Sequence, residues 1–308
     1  MVLLAACDGN GDGDTKSSFP ERSQTTESAS PFPDERTEVA GALWDGKIAV
    51  AGGLTPDEST DRFDVFDVSG GTWSSGPRLP HTYDHASLAE LDGRLYLVGG
   101  YLSGLSNPSN EVFSLGPGET TWTTESSLAT RRGALATAAA GGKLVAIGGV
   151  DEDGNVLRTT EIFTPGAGWS SGPDLSIPRE HLGAAGAGDE VYAVAGRNAD
   201  GATTSVESLA AGASEWNAEP ALHDERSGIG AATTASGVVC TGGGEVPGRP
   251  DTVPSIECLD SSGWQRLATM RVPRHGLAVV ADGSSVHFIA GGPEPGGSFS
   301  DAHEVLAL

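Results

Sequence analysis

Six positions at a nearly constant interval carry side chains able to recognise an anion: Arg36, Tyr83, Arg132, Arg179, Arg226 and Arg274. A guanidinium presents a rigid fork of donors that fits a carboxylate, so several on one surface would suit an acidic or carboxylate ligand. Two residues beyond Tyr83 and Arg179 stand His85 and His181, and imidazoles exchange protons near neutral pH. Asp84 and Glu180 precede them. Beside arginines, Glu180, Asp84 and His181 are what proton transfer on a sugar would need. The same arginines could equally pair with neighbouring acids and hold the fold together. Both roles stay open.

Other chemistry finds less support. His275 is out of register with His85 and His181, so the three make no regular ligand set and no metal or cofactor is expected. Asp8, Asn10 and Asp12 match the first half of a calcium loop, but Phe19 stands where the bidentate acid belongs. No Gly-x-Ser-x-Gly elbow, phosphate loop or His-Glu-x-x-His occurs.

What must position these residues is a repeat. Glycine doublets begin at Gly52, Gly99, Gly148, Ala195 (Ala-Gly), Gly242 and Gly291, at steps of 47, 49, 47, 47 and 49. Tryptophans follow at Trp73, Trp122, Trp169, Trp216 and Trp264. Between them lies an acid before apolar residues: Asp64, Glu111, Glu161, Glu207, Glu257 and Glu304. Short apolar runs such as Leu95-Tyr96-Leu97-Val98 precede each doublet, bounded by turns such as Asp92-Gly93. Runs of this kind are strands, and no stretch keeps a helical period with caps. Each unit therefore reads as four antiparallel strands, A to D. Strand A follows the Arg turn, B ends in the doublet, C carries the acid and D the Trp.

The doublet, acid, Trp and Pro-Arg turn resemble the kelch repeat over roughly residues 23–308, with departures at Ala195 and Tyr83. The resemblance implies an all-β, six-bladed β-propeller with one unit per blade. Its ligands would bind where the D–A turns and the B–C loops (roughly 54–62, 101–110, 150–160, 197–205, 244–254 and 293–302) share a face. Glycine would allow close backbone approach and Trp would pack between blades. The acids are expected to accept hydrogen bonds from backbone amides. The last unit ends before any Trp, so its outer strand must come from elsewhere. Thr26–Arg36 matches Trp73–Tyr83 without a gap, Pro33 falling on Pro80. Residues near 23–30 are expected to close the last blade, which removes an open edge.

The formal charge of −24 and pI near 4.4 exclude nucleic acid as a natural partner, because phosphate binding needs a basic footprint. Leu4-Ala5-Ala6-Cys7 looks like a bacterial lipobox, with Cys7 the lipidated residue; only six residues precede it, so either the recorded start is late or the match is accidental. Residues 1–22 then form a lipobox-like start and polar tether, and 23–308 the propeller. Cys240 and Cys258 fall on adjacent strands of one blade and could form a disulfide in an exported protein or pack as small apolar residues. The reading is a monomeric, lipid-anchored, non-enzymatic binding propeller of the bacterial cell envelope, periplasmic or at the cell surface. It would present its B–C loops and an Arg-lined face (Arg36, Tyr83, His85, Arg132, Arg179, His181, Arg226, Arg274) to a protein, peptide or glycan. The alternative is a periplasmic carbohydrate-active enzyme such as a sugar mutarotase or epimerase.

Overall fold

A computed structural model describes residues 24–102 and 107–308. They build six blades, each around four antiparallel strands that follow chain order except for the N-terminal outer strand of the last, together with a two-stranded ribbon, Arg197–Asn198 with Gly201–Ala202; among these residues there is no helix. In blade 1 the strands are Ala40–Trp44, Lys47–Ala51, Phe63–Asp67 and Thr72–Ser75. The innermost strands are Ala40–Trp44, Ser87–Leu91, Ala136–Ala140, Gly183–Ala187, Gly230–Thr233 and Ala278–Ala281. Each touches the next, and the last touches the first. The molecule is a closed six-bladed β-propeller around an axial channel.

The core is divided into wedges between blades rather than gathered at one centre. Ala49, Ala51 and Phe63 of blade 1 pack on Leu88, Leu95 and Leu97 of blade 2, and five similar clusters fill the other gaps. Each tryptophan of the repeat faces the preceding gap. The Trp122, Trp169 and Trp216 indoles donate to the carbonyls of Pro77, Ser126 and Pro173, at 3.1, 3.0 and 2.9 Å. These tethers span adjacent blades.

The doublets act at the same seams. The second glycine's N–H donates to the carbonyl of the next blade's Arg or Tyr: Gly53 to Tyr83 (2.8 Å), Gly100 to Arg132 (3.0 Å), Gly149 to Arg179 (2.9 Å) and so on, until Gly291 to Arg36 (2.8 Å) closes the ring. The first member has positive φ, for example 62° at Gly52. A Cβ there would sit 2.5 Å from the Tyr83 carbonyl oxygen, which is why glycine is favoured. By φ and hydrogen bonding the functional pairs in the last two blades are Gly243–Gly244 and Ala290–Gly291. The sequence register is thus one residue early in blade 5 and one late in blade 6.

The N-terminal segment closes blade 6 as expected: Glu27–Ser28 pairs antiparallel with His303–Ala307. It also does something the repeat did not suggest. Gln24–Thr25 adds a parallel fifth strand to blade 5, so one short segment laces two blades. The Cys240 and Cys258 sulfurs are bonded across neighbouring strands of blade 5. Cys7 and the tether lie outside the described residues.

Candidate functional site at the channel mouth

The five arginines do not line the face. Arg36, Arg132, Arg179, Arg226 and Arg274 are all fully buried, and Tyr83 is nearly so. Each arginine turns into its own blade and pairs with the strand-C acid: Arg36 with Asp64, Arg132 with Glu161 (2.9 Å), Arg179 with Glu207 (2.6 Å), Arg226 with Glu257 (2.8 Å) and Arg274 with Glu304 (3.3 Å). Where blade 2 has Tyr83, the phenol donates to Glu111 at 2.6 Å. The guanidinium also donates to the carbonyl of the doublet, as Arg132 does to Gly148 at 2.9 Å. Four of the six acids, Glu161, Glu207, Glu257 and Glu304, accept backbone amides as expected, Ala129 and Thr130 donating to Glu161 at 2.7 and 3.1 Å, whereas among the described residues Asp64 and Glu111 accept from side chains. Burial draws the Arg274 guanidinium down to about 10 despite Glu304. An Arg-lined binding face is therefore corrected to a set of buried struts, because these groups find their carboxylates inside the blades.

What does face the axis is the residue two beyond each strut. Glu38, His85, Ala134, His181, Gly228 and Gly276 all have positive φ, between 50° and 67°. Their backbones form a hydrogen-bonded ring: His85 N to Glu38 O, Ala134 to His85, His181 to Ala134, Gly228 to His181 and Gly276 to Gly228, at 2.8–3.1 Å. Val39 N to Gly276 O, 3.3 Å, closes it. A left-handed backbone costs a residue other than glycine roughly 1–2 kcal/mol. Three blades keep this site Gly or Ala, whereas three place Glu38, His85 and His181 there. Strain of this sort collects where side chains have work to do.

Two further rings stand on this one. The residue beyond each strut pairs with the residue beyond each doublet: Thr37 with Leu54, Asp84 with Tyr101, Gly133 with Val150, Glu180 with Arg197, Ser227 with Glu245 and His275 with Gly292. Together they enclose a funnel of about 390 Å³ lined by Glu38, His85, Tyr101, Glu180, His181, Arg197, Glu245 and His275, with Leu54, Val150 and Val156 as apolar wall. The opposite mouth, about 260 Å³, is lined mostly by Gly, Ala and other small side chains with one acid, Glu90.

The polar groups of the funnel are tightly coupled. Asp84 Oδ1 lies 2.6 Å from His85 Nδ1, and Glu180 binds both His181 Nδ1 and Arg197 Nε. Arg197 Nη1 donates to Glu245 at 2.6 Å. Glu38 sits among three imidazoles: Oε2 is 3.4 Å from His85 Nε2 and 3.9 Å from His181 Nε2, and Oε1 is 3.4 Å from His275 Nδ1. Burial pushes the Glu38 carboxyl up, but the surrounding imidazoles outweigh it and hold it well below the usual range. Burial pulls His85 down, and Glu38, Asp84 and Glu180 reverse this to a net rise. Burial and the nearby Glu180 and Asp84 raise the Tyr101 phenol to about 12.

Of the residues expected from sequence at a ligand face, His85 and His181 reach the funnel, with Asp84 and Glu180 beside them. Glu38, Arg197, Glu245 and Tyr101 were missed. Glu38 did carry a signal: it precedes Gly52 by the same interval as His85 precedes Gly99 and His181 precedes Ala195. His275 enters from the position before the ring, which explains its broken register.

No family model matches the chain. Among solved structures it is similar to that of a protein named YjhT, with a TM-score of 0.78, 16% identity, and coverage of 91% of this chain and 97% of that one. That likeness extends over the whole propeller and shows the fold.

Proposed function

We propose that this propeller binds a small, neutral polyhydroxylated molecule of the sugar or polyol class in the funnel. The observation that carries this is the funnel's make-up: carboxylates, imidazoles and one guanidinium share the lining with Tyr101, Leu54, Val150 and Val156. Hydroxyls suit the first set, and a C–H face suits the second. An anionic ligand is disfavoured, since Arg197 is already held between Glu180 and Glu245 and two other carboxylates, Glu38 and Asp84, crowd the site. The fold is compatible with an interaction module, and long B–C loops remain available to a larger partner.

The test is a thermal-shift and calorimetric panel of neutral hexoses, polyols and hexuronates against the purified chain and its Arg197→Met and Glu180→Gln variants. Saturable binding of a neutral member, lost in both variants, is expected. At 100 times Kd a ligand adds about 2.7 kcal/mol of stability. Binding confined to hexuronates, or unchanged in the variants, would overturn the reading.

Catalysis is the second reading, favoured by two imidazole–carboxylate couples, Asp84–His85 and Glu180–His181, whose rings lie 4.8 Å apart. One imidazole could take the anomeric hydroxyl proton while the other protonates the ring oxygen, opening a sugar ring that recloses as either anomer. Anomer-exchange rates by NMR, unchanged on adding the protein, would exclude it. Placement in the cell envelope is supported by the disulfide, which persists in oxidising compartments. Labelling with a lipid precursor that is lost in Cys7→Ser would support the anchor, and labelling that survives would refute it.

A further inference from the structure

We propose that the funnel is also a metal site: a divalent transition-metal ion, zinc foremost, is bound by Glu38 Oε2, His85 Nε2 and His181 Nε2, with its remaining position open to the cavity. The inference does not depend on the polyol reading, since the ion would bind whether or not a sugar does.

Three independent features lead here. The first is convergence. One donor atom from each of Glu38, His85 and His181 lies within 4.8 Å of the other two. A tetrahedral ion with N and O ligands at about 2.0–2.1 Å holds its ligands about 3.3 Å apart. The Glu38–His85 separation is 3.4 Å and the Glu38–His181 separation 3.9 Å, so side-chain rotations that draw the two imidazoles toward Glu38 would complete the shell. The backbone ring fixes all three Cα positions relative to one another.

The second feature is the outer shell. A metal-binding imidazole typically gives its far N–H to a carboxylate, which fixes the tautomer and orients the ring. Both histidines have this arrangement: Asp84 holds His85 at Nδ1 and Glu180 holds His181 at Nδ1. His85 Nε2 then faces Glu38; His181 Nε2 faces Glu38 and also lies 3.4 Å from Arg197 Nη2, which must turn aside for an ion to bind. Ser59 in turn donates to Asp84, 2.5 Å. The same outer acid appears in two blades and is absent from the blades whose ring residue is Gly or Ala.

The third feature is an unpartnered nitrogen. His275 is 2% exposed and its Nε2 lies 3.0 Å from the Glu294 carbonyl, so this nitrogen carries the proton. Its Nδ1 has no hydrogen-bond partner, although it faces Glu38 at 3.4 Å and Glu245 at 3.9 Å. Left unprotonated, Nδ1 would aim a lone pair at two carboxylates, a clash that a proton on Nδ1 or a nearby cation relieves. His275 touches the other oxygen of Glu38 and serves as a positioning residue. With neutral imidazoles the cluster carries four carboxylates (Glu38, Asp84, Glu180, Glu245) against one guanidinium (Arg197), and this surplus draws a cation. Two histidines, one carboxylate and an open position suit zinc or ferrous iron better than magnesium or calcium, which prefer all-oxygen shells.

The test uses the full chain, stripped with EDTA, dialysed and titrated with Zn(II) or Co(II) alone. One ion per chain is expected, with a visible cobalt absorption band and paramagnetic shifts at the His85 and His181 rings but not at His223. Changing His85 and His181 together to Ala should weaken zinc at least 100-fold. Asp84→Asn should weaken it 10- to 100-fold through loss of the outer acid. Should the double variant fail to fold, the cobalt-shifted imidazole signals of the unmutated chain decide alone. No retained ion, or one whose affinity ignores both histidines and whose cobalt form leaves their rings unshifted, would overturn the proposal.

Discussion

Replacing Glu161 by Gln removes one charge from a buried set while keeping its shape. The Glu161 carboxylate accepts from Ala129 N (2.7 Å), Thr130 N (3.1 Å) and Arg132 Nη2 (2.9 Å). The amide has one acceptor oxygen. If it serves Thr130 and Arg132, its NH2 is turned against the Ala129 N–H. Arg132 then stays fully buried without a counter-charge. Removing one partner of a buried pair costs about 3–5 kcal/mol. The roughly 280 described residues give an unfolding entropy near 0.6 kcal/mol per degree, so the melt should fall by about 5–8 °C. Urea unfolding followed by tryptophan fluorescence, with circular dichroism as second probe, measures this. The double change Arg132→Met with Glu161→Leu should recover much of the loss, since a buried pair can often be exchanged for apolar groups. A drop under about 1 kcal/mol for Glu161→Gln would refute the strut assignment and return Arg132 to the solvent face.

Three other outcomes follow from the same geometry. Removing residues 24–30 deletes the strand on blade 6 and the one on blade 5, with about five hydrogen bonds including Ala29 N to His303 O at 2.8 Å; relative to a chain beginning at residue 24, about 3–5 kcal/mol should be lost, and an unchanged melt would contradict the lacing. Changing Cys240 and Cys258 to Ala opens a loop of sequence separation 18 and should cost about 3 kcal/mol in denaturant, whereas no change would show that the bond contributes nothing. The His303 ring, buried beside His287, is drawn down to about 4 first by burial and then by that neighbour. Its neutral form is thus favoured by folding. This stability is full above the ordinary histidine range near 6.5 and fades as pH falls toward 4; a His303→Gln variant should lose stability less steeply over that window, and a parallel slope would refute the assignment.

How much of this was legible beforehand depends on symmetry. Residues repeated in every blade gave the architecture, because inter-blade contacts recur at each seam. The arginines were read correctly as periodic, but periodicity alone could not tell a strut from a ligand contact, since both demand the same spacing. Their burial decides it. Function sits instead where the register holds and the residue type varies: Glu38, His85 and His181 against Ala134, Gly228 and Gly276. Glu38 was overlooked because no doublet-based comparison paired an acid with imidazoles. Arg197 and Glu245 follow the doublets in segments with little regular pattern, so only the folded chain brings them to Glu180 and His275. The two misplaced doublets arise from Gly242-Gly243-Gly244 and Ala290-Gly291-Gly292, runs whose register sequence cannot fix. Hydrogen bonds to Arg274 and Arg36 do.

The seven histidines offer a direct test of the funnel as the ligand site. Three lie in it (His85, His181, His275), two lie packed together in blade 6 (His287, His303), and His81 and His223 have half-exposed side chains outside it. Imidazole resonances, assigned by single substitutions, would be followed by NMR while the pooled neutral hexoses and polyols are added. The account predicts saturable shifts confined to His85, His181 and His275. Shifts limited to His81 and His223, or none at any imidazole, would contradict it.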